Sequence, residues 1–192
     1  SGVESGSLEL RKQLLARTMT DDVIINGFKE FKNTKIRISA NNIIGFPGES
    51  REDIMKTIEI NRKINADSIV VNAFRPYSGT KLRKICIDKG LIPKEERAED
   101  NRVYGAFDNG ILKAHELENI RKVFALYVTF PKSRWKEIRE SETNETLYNK
   151  MMEEFKFRQL LNRKNREKTS DSIKENITAN QIFINDEEAV VI

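Results

Sequence analysis

One cysteine and one histidine in 192 residues leave little material for the chemistries that depend on them. Cys86 can close no disulfide and cannot by itself hold a cysteine-ligated metal centre, and His115 has no second histidine or cysteine with which to share a metal. No stretch approaches the roughly 20 apolar residues of a bilayer span, and the N-terminus lacks the charged-then-apolar layout of a secretory signal. The cytoplasm is therefore the expected compartment. Charge of one sign is also scarce: 34 basic residues face 30 acidic ones, a net of +4, well mixed until late in the chain. A modest excess spread this way argues only weakly for a nucleic-acid footprint, and nucleic acid is not the expected partner. There is no internal repeat, no low-complexity tract and no nucleophile-base-acid triad.

What is present is an alternation. Gly2-Val3-Glu4 reads as the end of a strand, and Leu8, Leu10, Leu14 and Leu15 recur near helical spacing, with Ser7 placed to cap. Thr20 caps a second helix whose apolar face is Val23, Ile24, Gly27, Phe28 and Phe31. A strand is predicted from Ile36 to Ile44, then a helix capped by Ser50 with Asp53 three residues on. A strand from Ser68 to Phe74 follows, then a helix from Thr80 to Lys89 stopped by Gly90. Strands alternating with helices mean a parallel sheet, and right-handed crossovers set the loop after every strand on one rim. Three turns should converge there: Glu4-Ser5-Gly6-Ser7, Gly45-Phe46-Pro47-Gly48, and Arg75-Pro76-Tyr77-Ser78-Gly79-Thr80.

The 36–44 strand has Ile36, Ile38, Ala40, Asn42 and Ile44 on one face and Arg37, Ser39, Asn41 and Ile43 on the other. The polar face would look into a cavity, although a half-exposed strand gives the same pattern. The Gly45 to Gly48 turn lets backbone approach a ligand, or simply joins strand to helix. It is neither a P-loop, since no Gly-Lys-Ser/Thr follows, nor a dinucleotide fingerprint. Glu4 could accept hydrogen bonds from two ribose hydroxyls or favour the next helix start. Glu49 reads as electrostatic support for its helix, Arg75 as a partner for a carboxylate or phosphate or a solvated strand end, and Cys86 as an inert core thiol.

Beyond Leu91 the alternation lapses. Residues 93–114 form a long connection with Pro93, Gly105 and Gly110, and a helix covers His115 to about Tyr127 before Phe130-Pro131. Residues to about 168 are helical and basic, including Trp135, Met151, Phe155 and Phe157. Residues 169–192 read as a tail, disordered or adding a short terminal element.

Three motifs in order carry a resemblance: Gly2 to Ser7, Ile43 to Ser50 and Phe74 to Leu82. Together they resemble the second half of a radical S-adenosylmethionine enzyme core, most similar to the branch with an N-terminal cobalamin-binding domain. The resemblance covers about residues 1–92, and the Phe130-Pro131 region is similar to the helical end of that branch. It implies an α/β fold, a partial (β/α) barrel fragment with parallel strands followed by a helical C-terminal region. Glu4, Ser5 and Ser7 would lie at the ribose of S-adenosylmethionine, and Ser39, Asn41, Ile43, Gly45 and Gly48 at its adenine or the barrel interior. Arg75 and Pro76 would close the pocket. The implied cofactors are S-adenosylmethionine, a 4Fe-4S cluster and, in that branch, cobalamin.

Two departures stand out. Asn41 and Ser78 replace the family's usual glycine and proline, and the three cysteines spaced CxxxCxxC are missing. A cluster needs three protein thiolates. The chain is therefore expected to be a fragment whose partner is the missing N-terminal half of the barrel, inactive alone, with catalytic residues and substrate not readable. The alternative is a non-catalytic binding module whose basic helices from Lys132 to Lys168 contact RNA or a partner protein.

Overall fold

The structure, a computed structural model, describes residues 1–32, 34, 36–94 and 106–161. Three strands form one parallel sheet in the order β1 (Gly2–Glu4), β2 (Ser39–Ile44), β3 (Ser68–Ala73). Between and after them lie α1 (Leu8–Leu15), α2 (Asp21–Lys29), α3 (Arg51–Ile64), α4 (Lys81–Asp88), α5 (Ala114–Thr129) and α6 (Trp135–Ser141), with a 3₁₀ turn at Lys132–Arg134. A further helix, α7, runs over 145–161. The alternation and the parallel sheet are as the sequence predicts. The chain divides into two compact units, 1–148 and 149–192, the described part of the second being helical.

The helix boundaries follow local chemistry. Thr20 and Thr80 accept N–H bonds from Val23 and Arg83, and Ser50 with Asp53 forms a reciprocal capping box. Asn65 ends α3 in the left-handed region and Gly90 follows α4 with a φ of 67°. Ser7 departs from expectation: it precedes α1 but makes no side-chain cap, because its hydroxyl is turned to Asp53. β2 is also shorter than expected. Asp67 takes over at Ile38, its carboxylate accepting from the Ile38 N–H at 2.8 Å, and Ile36 and Arg37 lie exposed outside the ladder. The last described helical run begins at 145, where the Asn144 side chain accepts from Leu147 N–H. The expectations for 95–105, for the helix beyond 161 and for the 169–192 tail lie outside the described residues.

The two faces of the sheet differ. Ala40, Asn42 and Ile44 are fully buried under helices, and Val3, Ala40, Ile24, Ile25, Phe28, Ile60 and Ile64 make one core cluster with α2 and α3. Each such Ile contributes roughly 1.5–3 kcal/mol by leaving water. On the other face Ser39 and Ile43 are half-buried and Asn41 exposed, with Val70 and Asn72 of β3 exposed beside them in register. That polar face is the open one.

Among the described residues α5 packs on α3 and β3. Arg62 Nη1 donates to the carbonyls of Tyr127, Val128 and Phe130 at 2.6–2.9 Å, which closes the C-terminal end of α5. Arg51 and the Tyr127 hydroxyl both donate to Glu142, tying the start of α3 to the end of α6. Trp135 packs edge-on to Tyr127 at 5.6 Å, with Arg62 and Lys132 over its ring.

Candidate functional site

An apolar cluster at the C-terminal rim of the sheet joins the second and third turns, and α1, the helix after the first turn, packs against it. Phe46 of the second turn stacks at a tilt on Phe74 at the head of the third, 5.1 Å between centroids, and Phe107 lies 6.0 Å beyond. Cys86 of α4 completes the buried part, and Leu14, Leu15 and Ile43 pack against it. Elements from all three strand-loop-helix passages therefore share one small core. The second and third turns meet there, and the first passage joins them through Leu14 and Leu15 of α1.

The first turn is pressed against α3. A Cβ on Gly6 would fall 2.3 Å from the backbone of Lys56 and Thr57, so only glycine fits. Its N–H donates to Thr57 Oγ1 at 2.7 Å. Arg11, fully buried, reaches back from α1 to donate to the Ser5 carbonyl at 2.8 Å and to Asp21 at 2.7 Å. Ser5 Oγ accepts from the Ser7 N–H, and both serines are buried. They shape the turn from inside. Glu4 ends β1 with a φ of 63° and is half-buried, its carboxylate 3.5 Å from Arg17.

The second turn is braced by a side chain of its own, although the Oε1 atom of that side chain, Glu49, is buried without a hydrogen-bond partner among the described residues. Glu49 is wholly buried, and its Oε2 accepts from the N–H of Gly45 at 2.5 Å and of Phe46 at 3.2 Å. Burial pushes its carboxyl up to about 8, against the pull of those two N–H groups. Gly48 donates to the Asn109 carbonyl at 2.8 Å, Glu49 N–H to the Phe46 carbonyl at 2.9 Å, and Ser50 N–H to Asp53. Pro47 has no N–H. With every donor of the turn engaged, the backbone has only carbonyl oxygens to offer a ligand. Such a turn can accept from an amine on a neutral ring, and it lacks what a phosphate cradle needs. Gly45 and Gly48 hold φ values of 87° and 82°, which glycine alone adopts without strain.

In the third turn Pro76 is buried and Arg75 half-buried, and the Pro76 carbonyl accepts from Arg83 at 3.2 Å. Ser39 donates to Asn41 at 3.4 Å on the open face. Glu4, Gly45, Gly48, Arg75 and Pro76 thus lie on the turns of one rim, with Ile43 packed against the rim cluster and Ser39 and Asn41 further down β2.

Two residues carry more than the sequence suggested. Glu49 is a buried brace of the turn, where helix support was expected. Asn109, fully buried in the connecting segment, donates to the carbonyls of Phe46 and Glu49 at 3.0 and 2.9 Å. Its Asn-Gly dipeptide marks a turn, but nothing local says which other turn it grips. Cys86 is buried as expected, and burial pushes its thiol up to about 11. Among the described residues no cluster of three His, Cys, Asp or Glu could hold a metal, and no helix is long and apolar enough to cross a membrane.

No family model matches the chain. It is similar to a tRNA-2-methylthio-N(6)-dimethylallyladenosine synthase of Buchnera aphidicola, 45% identical over 69 residues that cover 34% of this chain and 15% of that protein. Proteins of the same name from Psychrobacter cryohalolentis and Psychrobacter arcticus are each 31% identical over 118 residues, covering 60% of this chain and 23% of theirs. These relatives are enzymes. The chain spans less than a quarter of their length.

Proposed function

We propose that this chain is part of a radical S-adenosylmethionine enzyme and supplies the adenosine-contacting half of its cofactor pocket, within a partial (β/α) barrel. The observation that carries this reading is the single apolar core that joins the second and third turns and is packed by α1, the helix following the first turn, because the resemblance assigns all three turns to one cofactor. The chemistry of the rim fits an adenosine. A turn with its donors spent favours an amine-bearing ring, and the half-buried Glu4 carboxylate suits paired ribose hydroxyls.

The residues do not fit the iron-sulfur cluster. Its three thiolates cannot come from one cysteine, and the buried Cys86 resists ionisation. The ligands belong to another part of the parent. Cobalamin, which the resemblance to one branch carries, draws no support from the names of the relatives, and the pocket does not require it.

Those names put forward a tRNA adenosine as the parent's substrate, against the weak charge-based reading that set nucleic acid aside. The alternative, a binding module built on the basic helices, is disfavoured by their pairing: Arg134 with Glu137, Arg139 with Glu142, and Arg158 with Glu154 are joined in place.

The test uses the full-length parent reconstituted with iron and sulfide. Glu4→Ala should raise the KM for S-adenosylmethionine about tenfold or more, since it removes charge-assisted bonds to the ribose. An unchanged KM for Glu4→Ala and Arg75→Ala would overturn the assignment.

A further inference from the structure

We infer that Asn109 is a positioning residue for the nucleoside turn, so that a connecting segment outside the sheet sets how well the pocket binds. This rests on the proposed pocket for its ligand, but its geometry stands apart from it.

Asn109 is fully buried and saturates its bonding capacity in two directions. Toward the turn, its amide nitrogen donates to the Phe46 and Glu49 carbonyls and its own carbonyl accepts from Gly48. Toward its own segment, Oδ1 accepts from the N–H groups of Ile111 and Leu112 at 3.0 and 2.9 Å, and its N–H donates to the Leu112 carbonyl. The 106–112 segment is itself anchored. Ala106 N–H donates to Glu118 at 2.6 Å, and Asp108 accepts from the Ala114 N–H at the start of α5.

Glu49 and Asn109 divide the turn between them. The carboxylate collects N–H groups at Gly45 and Phe46, and the amide collects carbonyls at Phe46 and Glu49. Only an amide can donate to two carbonyls while accepting from two N–H groups. An aspartate there would keep the acceptor side and set a carboxylate oxygen against two carbonyls. Gly45 and Gly48 have wide conformational freedom, so the turn's shape is fixed by these side chains more than by its own backbone. Losing one side of the grip loosens the carbonyls that a ring amine would meet.

The test compares Asn109→Asp and Asn109→Ser with His115→Gln, an exposed neighbouring change that leaves the grip intact, all in the 192-residue chain. Amide hydrogen exchange at Gly45, Phe46 and Gly48 reads the turn directly, thermal melting checks the fold, and calorimetry reads binding of 5′-methylthioadenosine. Both Asn109 variants should exchange faster at those three amides and bind the nucleoside about tenfold more weakly, while His115→Gln matches the wild type. Serine keeps a short acceptor without the opposed charge, so it serves if the aspartate variant fails to fold. Unchanged exchange and affinity in the folded variants would overturn the inference. If the wild type binds no nucleoside, exchange at the three amides still decides whether Asn109 fixes the turn, and the pocket, of which this chain is half, is decided by the Glu4 and Arg75 variants of the full-length parent.

Discussion

Gly6 and Glu49 show how much of the rim depends on single residues. A Cβ at Gly6 would meet backbone, which cannot swing aside as a side chain can. Gly6→Ala should therefore cost about 1–3 kcal/mol through forced backbone movement, read as a lower urea midpoint, and a midpoint equal to the wild type would show the contact to be softer than drawn. Glu49 makes a prediction in pH. Its carboxyl stands near 8 in the folded chain against an ordinary 4.5, so across that window the folded state holds a proton the unfolded state has released. Stability should fall as pH rises from 4.5 to about 8 and level off above. Asp53 works in the opposite sense at the acid end: its carboxyl is held down to about 2, with Lys56 and Ser50 among its bonding partners, so its contribution is lost as pH falls from 3.8 toward 2. Glu49→Gln should flatten the decline between 4.5 and 8. A decline equally steep in the variant would mean another group titrates there.

At the scale of elements, α3 organises the site. Asp53, Thr57 and Asn61 recur every fourth residue and form a polar stripe on its buried side. Asp53 holds Ser7 and Ser50, Thr57 holds the Gly6 N–H, and Asn61 exchanges amide bonds with Asn42 of β2 at 2.7 and 3.2 Å. Asn42 also donates to the Val70 carbonyl of β3. One helix thus fastens the first turn and the middle strand through buried hydrogen bonds. Asn42→Ala and Asn61→Ala should each destabilise by roughly 1–3 kcal/mol, since each strands a buried amide. The double variant should cost less than their sum. Full additivity in chemical denaturation would contradict the network.

The sequence made the frame of these elements readable but not their fastening. The caps at Thr20 and Ser50 were legible because capping is chemistry within four residues, and the β2 faces were legible from alternation. Ser7, Glu49 and Asn109 were not. Their partners lie elsewhere in space: Ser7 turns to Asp53, and Asn109 crosses sixty residues to reach Glu49. A residue's class shows that it can bond, and the fold decides with what.

For the whole molecule, the open polar face of the sheet and the closed face under α2, α3 and α5 make a one-sided layer, the arrangement that a barrel wall would present to its interior. The account's central claim is that the rim of this layer is half of a nucleoside pocket. Its most direct measurement is a titration of the isotopically labelled chain with S-adenosylhomocysteine, followed by amide chemical shifts. The account predicts perturbations gathered at Glu4, Ile43, Gly45, Gly48 and Arg75. Shifts absent at saturating ligand, or centred on the basic stretch from Lys132 to Arg158, would contradict it.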